Sequence, residues 1–175
     1  MESMEKIKAY ISEINNFPKE GIVFKDINPI YAKPKIWAEL MLPLQNLVSK
    51  NRPEYIAGIE SRGFITASVL AFTSNIGFIP IRKPNKLPGD VIGINYKLEY
   101  GEDRLEVQKS LIKKNSKIMV IDDLLATGGT AAAAGKLIQE AGGELIGYSF
   151  LVELTNLRGR ENLNNKLFID SVIKY

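Results

Sequence analysis

The fold follows from one stretch of the sequence, VIDDLLATGGT at residues 120–130. Its apolar start belongs to a predicted strand over residues 117–122, which ends in the acidic pair Asp122 and Asp123. A turn of small residues then leads into a predicted helix over residues 130–141, which is followed by two glycines that stop it. In parallel α/β sheets, ligands bind outside the carboxyl ends of the strands. The stretch therefore predicts a ligand site around the acidic pair and the turn.

The alternation of strand and helix extends on both sides of this stretch. Apolar runs predict strands over residues 55–59, 78–82 and 145–154, and a helix over 63–73 separates the first two. Apolar strands that alternate with helices are typical of a parallel sheet covered on both faces. We therefore expect an α/β fold with a central, mostly parallel sheet and flanking helices. The length of 175 residues favours a single domain over residues 1–175.

Two regions depart from this alternation. At the N-terminus we predict a helix over residues 3–15 and a second helix from Pro34, which Pro43 kinks or divides. Between residues 83 and 106, proline and glycine replace large apolar residues, and only residues 95–100 are typical of a strand. A connection of this length within a compact domain is usually functional, so we expect a lid there.

Two absences from the composition restrict the chemistry, because the chain has no Cys and no His. It therefore has no thiol nucleophile, no disulfide, no Ser-His-Asp triad and no zinc site built on either residue. The net charge of +3 is small and the cations are scattered, so nucleic acid is not an expected partner. The sequence shows neither a signal peptide nor an apolar run long enough to cross a membrane, and we expect a cytoplasmic protein without membrane contact.

The turn at residues 126–130 has the properties of a phosphate-binding site. It offers consecutive backbone N–H groups, two threonine hydroxyls and a helix N-terminus, which together suit a phosphate monoester dianion. No lysine follows the glycines, as a Walker loop requires, and the Rossmann pattern GxGxxG is absent. Asp122 and Asp123 would repel a bound anion unless they had donors of their own. Ribose 2′- and 3′-hydroxyls would supply these donors, and a divalent cation would lower the repulsion further.

The segment IDDLLATGGT resembles the phosphoribosyl-pyrophosphate (PRPP) signature of the type I phosphoribosyltransferases. Further segments resemble the adenine branch of that family, in the same order along nearly the whole chain. They are FPKEGIVFKDI at 17–27, GIESRGF at 58–64, IRK at 81–83, KLPG at 86–89, YKLEYG at 96–101 and LVEL at 151–154. The PRPP signature alone indicates only the larger family, whereas the whole set is specific for its adenine-using members.

The resemblance implies the type I fold, with a small N-terminal hood over residues 1–34 and a flexible lid loop over residues 84–103. It also implies that the phosphoribosyl group of PRPP is transferred to N9 of adenine, which gives AMP and pyrophosphate and requires Mg²⁺. The metal is then held mainly by substrate and water, with no direct protein ligand. The same resemblance implies a homodimer whose small-molecule substrates are adenine and PRPP.

Individual residues receive roles from the same resemblance. Asp122 and Asp123 would bind the ribose hydroxyls and stabilise positive charge on the sugar, and Glu99 would lie near N7 of adenine. The 5′-phosphate would bind to Ala126, Thr127, Gly128, Gly129 and Thr130. Pyrophosphate would bind to Ser61, Arg62, Arg82, Lys83 and Lys86. Adenine would bind to Val23, Phe24, Lys25 and Leu157. At position 25 the family more often has arginine, so Lys25 is a departure from its pattern.

Three other interpretations stay open at this point. A related enzyme could use hypoxanthine, guanine, xanthine or orotate, although 6-oxopurine enzymes typically have Glu-Asp where this chain has Asp122-Asp123. A regulator could bind PRPP without turnover, although the first 34 residues are too few for a helix-turn-helix module. A nucleotide-binding module with another role is compatible with the fold alone.

Overall fold

The computed structural model describes residues 4–98 and 101–175. These residues fall into two units, with the boundary between Leu44 and Gln45. The first unit consists of short elements, and the second contains the central sheet and the stretch from 120 to 130. Within the described residues, no helix is both long enough and apolar enough to span a membrane.

The first unit starts with a short helix and a β-hairpin. Its elements are helix α1 (Met4–Lys8), strands β1 (Ser12–Asn15) and β2 (Val23–Asp26), helix α2 (Asn28–Tyr31) and the start of helix α3 (Pro34–Asn51). Strands β1 and β2 pair antiparallel along their full length. Helix α3 begins at Pro34 as predicted, and it runs as one helix through Pro43 into the second unit, so Pro43 does not divide it.

The prediction of one helix over residues 3–15 is wrong after Lys8. Residues 12–15 form a strand because they hydrogen-bond to β2. The connection between the strands is stabilised by the N–H of Gly21, which donates to Oδ1 of Asn16 at 2.9 Å, and both residues have positive φ. Pairing with the strand that follows therefore overrides the helical spacing of the isoleucines in this segment.

The second unit contains a five-stranded parallel sheet. Its elements are β3 (Tyr55–Ile59), α4 (Gly63–Ser74), β4 (Gly77–Ile81), β5 (Val91–Leu98), β6 (Gly101–Gln108), β7 (Lys117–Leu125), α5 (Gly129–Glu140), β8 (Glu144–Glu153) and β9 (Phe168–Lys174). The order in the sheet is β4-β3-β7-β8-β9, and all neighbours are parallel. The predicted α/β architecture with flanking helices is confirmed.

Strand β7 lies at the centre of this sheet because its apolar run can be buried on both faces. Ile118, Met119, Val120 and Ile121 are each 0% exposed. Such continuous burial is characteristic of a central parallel strand. The residues that follow the run are thereby placed in the middle of the sheet's carboxyl edge, where neighbouring strands also end.

Strand β9 was not predicted from the sequence. It is an edge strand that pairs only with β8, and of its seven residues only Ile173 is buried. Its sequence, FIDSVIK, contains polar residues that an edge strand tolerates because one side of the strand stays open. The apolar signal that marked the central strands is therefore weak here.

The predicted loop over residues 84–103 is wrong in form, because most of it is a β-hairpin. Strands β5 and β6 pair antiparallel from Val91 opposite Gln108 to Leu98 opposite Gly101. Of the expected strand at residues 95–100, residues 95–98 form the end of β5, and residues 99 and 100 lie outside the described residues. Leu105 and Val107 of β6 are fully buried in the core, and this burial anchors the base of the hairpin.

Candidate active site

Two adjacent carboxylates lie near the carboxyl end of the central strand β7. Asp123 is 6% exposed, and its Oδ2 lies 2.8 Å from Nε of Arg62. Oδ1 of Asp122 accepts the N–H of Asp123 at 2.9 Å. Gly63, the first residue of α4, makes room for this arrangement, because a Cβ there would lie 2.5 Å from Oδ1 of Asp122. The end of β7 and the start of α4 therefore meet at the aspartate pair.

The environment of the pair opposes the charge of both carboxylates. Burial raises the pKa of Asp122 well above its ordinary value, and the neighbouring Asp123 carboxylate raises it further. Burial also raises the pKa of Asp123, although the guanidinium of Arg62 opposes that rise. Hydroxyl donors or positive charge on a ligand would stabilise the two anions. This is the environment that a ribose with a developing cationic centre would meet.

The turn after β7 presents amide N–H groups that have no acceptor in the protein. Gly128 has a φ of 83°, and helix α5 starts at the next residue without a side-chain cap. Among residues 4–98 and 101–175, no acceptor is found for the backbone N–H groups of residues 127–130. Free N–H groups at a helix N-terminus form a site for an anion. The turn predicted to bind phosphate therefore has the donors that a phosphate requires.

Cationic side chains lie beyond the carboxyl ends of β3 and β4. Arg82 donates to the two carboxylate oxygens of Glu60 at 3.1 and 3.4 Å and to the carbonyl of Lys86 at 3.2 Å. The N–H of Lys83 also donates to Glu60, at 2.9 Å. Burial alone would raise the pKa of Glu60, but its bonds to Arg82 and Lys83 outweigh burial and lower it. Since β4, β3 and β7 are parallel neighbours, these cations share a sheet edge with the aspartate pair.

The side chain of Lys83 is bound by the β5–β6 hairpin. Its Nζ forms an ion pair with Asp103 and donates to the hydroxyl of Tyr96 at 3.2 Å. Burial would lower the pKa of Lys83, but the bonds to Asp103 and Tyr96 outweigh burial and raise it. Oγ1 of Thr130 lies 3.5 Å from the hydroxyl of Tyr96. The hairpin therefore contacts Lys83, a residue predicted to bind pyrophosphate, and the turn at residues 126–130, called the phosphate turn below.

Comparison with known proteins agrees with this geometry. The family model described as phosphoribosyl transferase domain matches residues 26–173. The adenine phosphoribosyltransferase of Prochlorococcus marinus (strain NATL2A) is 70% identical over 172 residues, which are 98% of this chain and 100% of that protein. The chain belongs to the adenine phosphoribosyltransferase family.

Solved structures of this family share the fold over the full chain. The crystal structure of adenine phosphoribosyltransferase from Thermoanaerobacter pseudethanolicus has a TM-score of 0.95 and 41% identity, and the match covers 99% of this chain and 100% of that one. The enzyme from Giardia lamblia, complexed with 9-deazaadenine, has a TM-score of 0.94 and 34% identity over 100% of this chain and 99% of that one. The type I phosphoribosyltransferase fold is thus confirmed.

The structure brings most of the predicted phosphoribosyltransferase site residues to one edge of the sheet. Those at this edge are Ser61, Arg62, Arg82, Lys83, Lys86, Asp122, Asp123, Ala126, Thr127, Gly128, Gly129 and Thr130. They come from segments that are far apart in the chain, and the parallel arrangement of β3, β4 and β7 places them together. Their individual roles stay predictions.

The residues predicted to bind adenine come from other segments of the chain. Val23, Phe24 and Lys25 belong to β2 in the first unit, where the Phe24 ring packs edge-to-face on Phe17 with centroids 5.1 Å apart. Lys25 forms an ion pair with Glu13 across the β1–β2 hairpin. Leu157 follows β8 in a short 3₁₀ turn, with 42% of its surface exposed. Glu99 lies outside the described residues.

Three residues of the phosphoribosyltransferase site were missed by the sequence analysis. Glu60 lies inside the segment GIESRGF, and a carboxylate two residues before Arg62 was a usable signal. Tyr96 and Asp103 stand opposite each other in the β5–β6 register. Had the hairpin been recognised, this cross-strand pair could have been predicted from the sequence.

Proposed function

We propose that the chain transfers the 5-phosphoribosyl group of PRPP to N9 of adenine and releases pyrophosphate, which makes AMP for purine salvage. One observation carries the proposal: an aspartate pair, of which Asp123 is buried, is followed directly by a turn of acceptor-free N–H groups, beside cations from two neighbouring strands. A sugar 5-phosphate with an anionic leaving group has complementary charges. The names of the relatives support adenine as the base.

In the proposed reaction, the bond between ribose C1 and a pyrophosphate oxygen breaks while the bond between C1 and N9 forms. Positive charge develops on the sugar as pyrophosphate leaves with the bonding electrons. Asp122 and Asp123 stabilise that charge and accept the ribose hydroxyls, which relieves the repulsion between the two carboxylates. The N–H groups of residues 127–130 hold the 5′-phosphate and so orient C1.

Pyrophosphate is proposed to bind at the cations beyond β3 and β4. Ser61 and Arg62 follow β3, and Arg82, Lys83 and Lys86 follow β4. Phosphate oxygens would replace the Glu60 and Asp103 carboxylates as partners of Arg82 and Lys83. The family generally uses Mg²⁺ with PRPP, and that cation neutralises part of the leaving group's charge. No cluster of three or more metal-binding side chains occurs among the residues described, and we propose that substrate and water hold the metal.

Adenine is proposed to bind through backbone groups of Val23 and Lys25, with Phe24 against one ring face and Leu157 against the other. Main-chain recognition tolerates side-chain change, so lysine at position 25 leaves this contact intact. The ion pair of Lys25 with Glu13 supports a role in holding the hood hairpin together. Lysine does this as a point charge, without the two-pronged geometry of arginine.

Glu99 is proposed to lie near N7 of adenine, where it donates or stabilises a proton as the N9 lone pair attacks; the proton that adenine loses on forming AMP passes to solvent. The lid over residues 84–103 would exclude water, because an activated sugar beside bulk water would hydrolyse. We propose that the hood over residues 1–34 belongs to one functional domain over residues 1–175. The cytoplasmic location expected from the sequence stays a prediction.

A pyrophosphate-release assay tests the function. Purified protein is mixed with PRPP, Mg²⁺ and one nucleobase at a time, and a reaction without base measures hydrolysis of PRPP. We expect release with adenine and none above hydrolysis with hypoxanthine, guanine, xanthine or orotate. Release with hypoxanthine instead would assign another base, and PRPP binding without any release would indicate a regulator.

The homodimer is proposed to form through the outer face of α4. Most residues of this helix are apolar, and Phe72 and Ile65, seven residues apart on one face, are 87% and 40% exposed. Phe72→Glu is expected to convert a dimer into a monomer in sedimentation velocity, because the charge would be buried in the interface. Gln139→Glu adds the same charge to the exposed face of α5 and should leave the dimer intact. A wild-type monomer at micromolar concentration, or a dimeric Phe72→Glu protein, would contradict the proposal.

A further inference from the structure

A segment that follows β8 packs against the phosphate turn from the side opposite its N–H groups. This segment, residues 158–163, contains a short 3₁₀ helix, Gly159–Asn162. Nδ2 of Asn162 donates to the carbonyl of Thr127 at 2.7 Å. A Cβ on Gly159 would lie 2.2 Å from the carbonyl oxygen of Ala126, and a Cβ on Gly128 would lie 2.2 Å from the carbonyl oxygen of Gly159. The two backbones therefore touch with no space for a side chain between them.

These contacts determine where the N–H groups of the turn point. In a trans peptide unit the carbonyl and the N–H are coplanar and point in opposite directions. The Ala126 and Thr127 carbonyls face residues 159 and 162, so the N–H groups of Thr127 and Gly128 face the other way. Those are two of the N–H groups for which the described residues offer no acceptor. The 158–163 segment thereby holds two donors of the turn in the direction of the anion site.

The 158–163 segment is itself anchored to the sheet through Arg160. Its Nε and Nη2 donate to the two carboxylate oxygens of Glu153, both at 2.7 Å, and its Nη1 donates to the carbonyl of Ile169 at 2.6 Å. Nη2 also donates to Oγ of Ser171 at 3.1 Å. The hydrogen bonds from Arg160 lower the pKa of Glu153, which is buried. One guanidinium therefore ties the segment to β8 and β9, on the side of the sheet away from the pyrophosphate cations.

We infer that Asn162 and Gly159 are positioning residues for the 5′-phosphate, acting through the backbone of the phosphate turn. The inference rests on the proposed function of that turn. Preorganised N–H groups lose less entropy when an anion binds. Loosening the turn should therefore lower the affinity for every ligand that carries the 5′-phosphate. It should not weaken the binding of pyrophosphate, because pyrophosphate is proposed to bind at the other end of the site.

The test compares two ligands by titration calorimetry: ribose 5-phosphate, and pyrophosphate with Mg²⁺. Asn162→Leu removes the donor at similar size and should weaken ribose 5-phosphate about 3- to 10-fold, the effect of one lost hydrogen bond. Asn162→Gln restores an amide donor and should recover part of the loss. Gly159→Ala places a methyl group against the Ala126 carbonyl and should weaken ribose 5-phosphate at least about 10-fold. In all three variants, pyrophosphate affinity should stay within about 2-fold of wild type.

Gly142→Ala is the matched control for a general loss of stability. Gly142 has a φ of 94° with nothing within 4 Å of a Cβ, so alanine there strains the backbone beyond the end of α5 without touching the phosphate turn. It should lower the unfolding midpoint and leave ribose 5-phosphate affinity unchanged. In steady-state kinetics, Asn162→Leu should raise KM for PRPP more than it lowers kcat.

The outcomes separate this inference from the proposed function. Wild-type protein that binds neither ribose 5-phosphate nor PRPP would overturn both. Wild-type binding together with unchanged affinity in Asn162→Leu would overturn the inference alone, as would an equal loss in Gly142→Ala or an equal loss of pyrophosphate affinity. If Gly159→Ala does not fold, the Asn162 variants decide the question.

Discussion

Replacing Asp122 with asparagine is expected to lower kcat at least about 100-fold, the scale found when one electrostatic contact to a transition state is removed. At pH 7 the same change should raise the free energy of unfolding, because asparagine carries no charge at this position. The gain arises because burial and the Asp123 carboxylate oppose the charge of Asp122. Asparagine keeps an oxygen that can accept the N–H of Asp123.

The gain in stability should depend on pH with a definite sign. The pKa of Asp122 in the folded chain lies above that of the unfolded chain. The free energy of unfolding of the wild-type protein therefore falls as pH rises from the unfolded pKa through the folded pKa, and the advantage of the asparagine variant grows over the same range. At a pH of about 3 or lower, well below the unfolded pKa of about 3.9, Asp122 is protonated in both states and the two proteins should be close in stability. Urea unfolding at about pH 3 and at about pH 7, with kcat measured at the higher pH, checks both parts.

Asp103→Asn is the matched control for the Asp122 variant, because it makes the same chemical change at an aspartate in the opposite environment. Burial would raise the pKa of Asp103, but its bonds with Lys83 and the N–H of Arg104 outweigh burial and lower it. Asparagine at 103 should therefore lower the free energy of unfolding at pH 7. A less stable Asp122→Asn protein at pH 7, or one with kcat within 10-fold of wild type, would contradict the proposed role of Asp122.

Gly128→Ala is expected to lower kcat/KM for PRPP at least about 100-fold, the scale of losing one or more preorganised donors. It should also destabilise the protein by about 2–4 kcal/mol, from a left-handed backbone that disfavours a side chain and from overpacking. Gly128 has a φ of 83°, and its Cβ would lie 2.2 Å from the carbonyl oxygen of Gly159. Relief of that contact must move the turn or the 158–163 segment, and either movement displaces the N–H groups.

The alanine variant at Gly142 separates the two effects at Gly128. It carries the backbone penalty of a positive φ without a close contact. We expect it to lose about 1–2 kcal/mol of stability, with kcat/KM for PRPP near the wild-type value. Urea unfolding and steady-state kinetics on both variants measure the difference. Wild-type kinetics in a folded Gly128→Ala protein would contradict the phosphate role of the turn.

The central part of the fold was predictable because its signals are local. The apolar run Ile118–Ile121 marks a central strand whatever lies next to it, and the glycine pair after α5 marks the end of a helix. The aspartate pair and the phosphate turn are contiguous in the chain, so their chemistry could be recognised before any contact was known. The cations at 62, 82 and 83 were added from the family resemblance, and the structure shows that the strands before them end at the same sheet edge.

The errors occurred where the pairing of two strands, and not the residues of one segment, decided the local structure. Residues 12–15 have helical spacing, but their pairing with β2 makes them a strand. Residues 91–98 and 101–108 are rich in polar residues and form a hairpin because Leu105 and Val107 reach the core. Strand β9 exists because β8 offers a free edge. The apolar pattern of each single segment did not indicate these pairings.

From the sequence alone came the α/β class, the order of the main strands and helices, and the acidic pair followed by a phosphate turn, because each depends on neighbouring residues. Only the tertiary structure decided which groups face each other across the site. Arg62 pairs with Asp123, Lys83 with Asp103, and Arg160 with Glu153. The amide of Asn162 likewise reaches Thr127 from 35 residues away. Such partners are chosen by the packing of the whole chain, since a charged or amide side chain has the same local signature whichever group it finally meets.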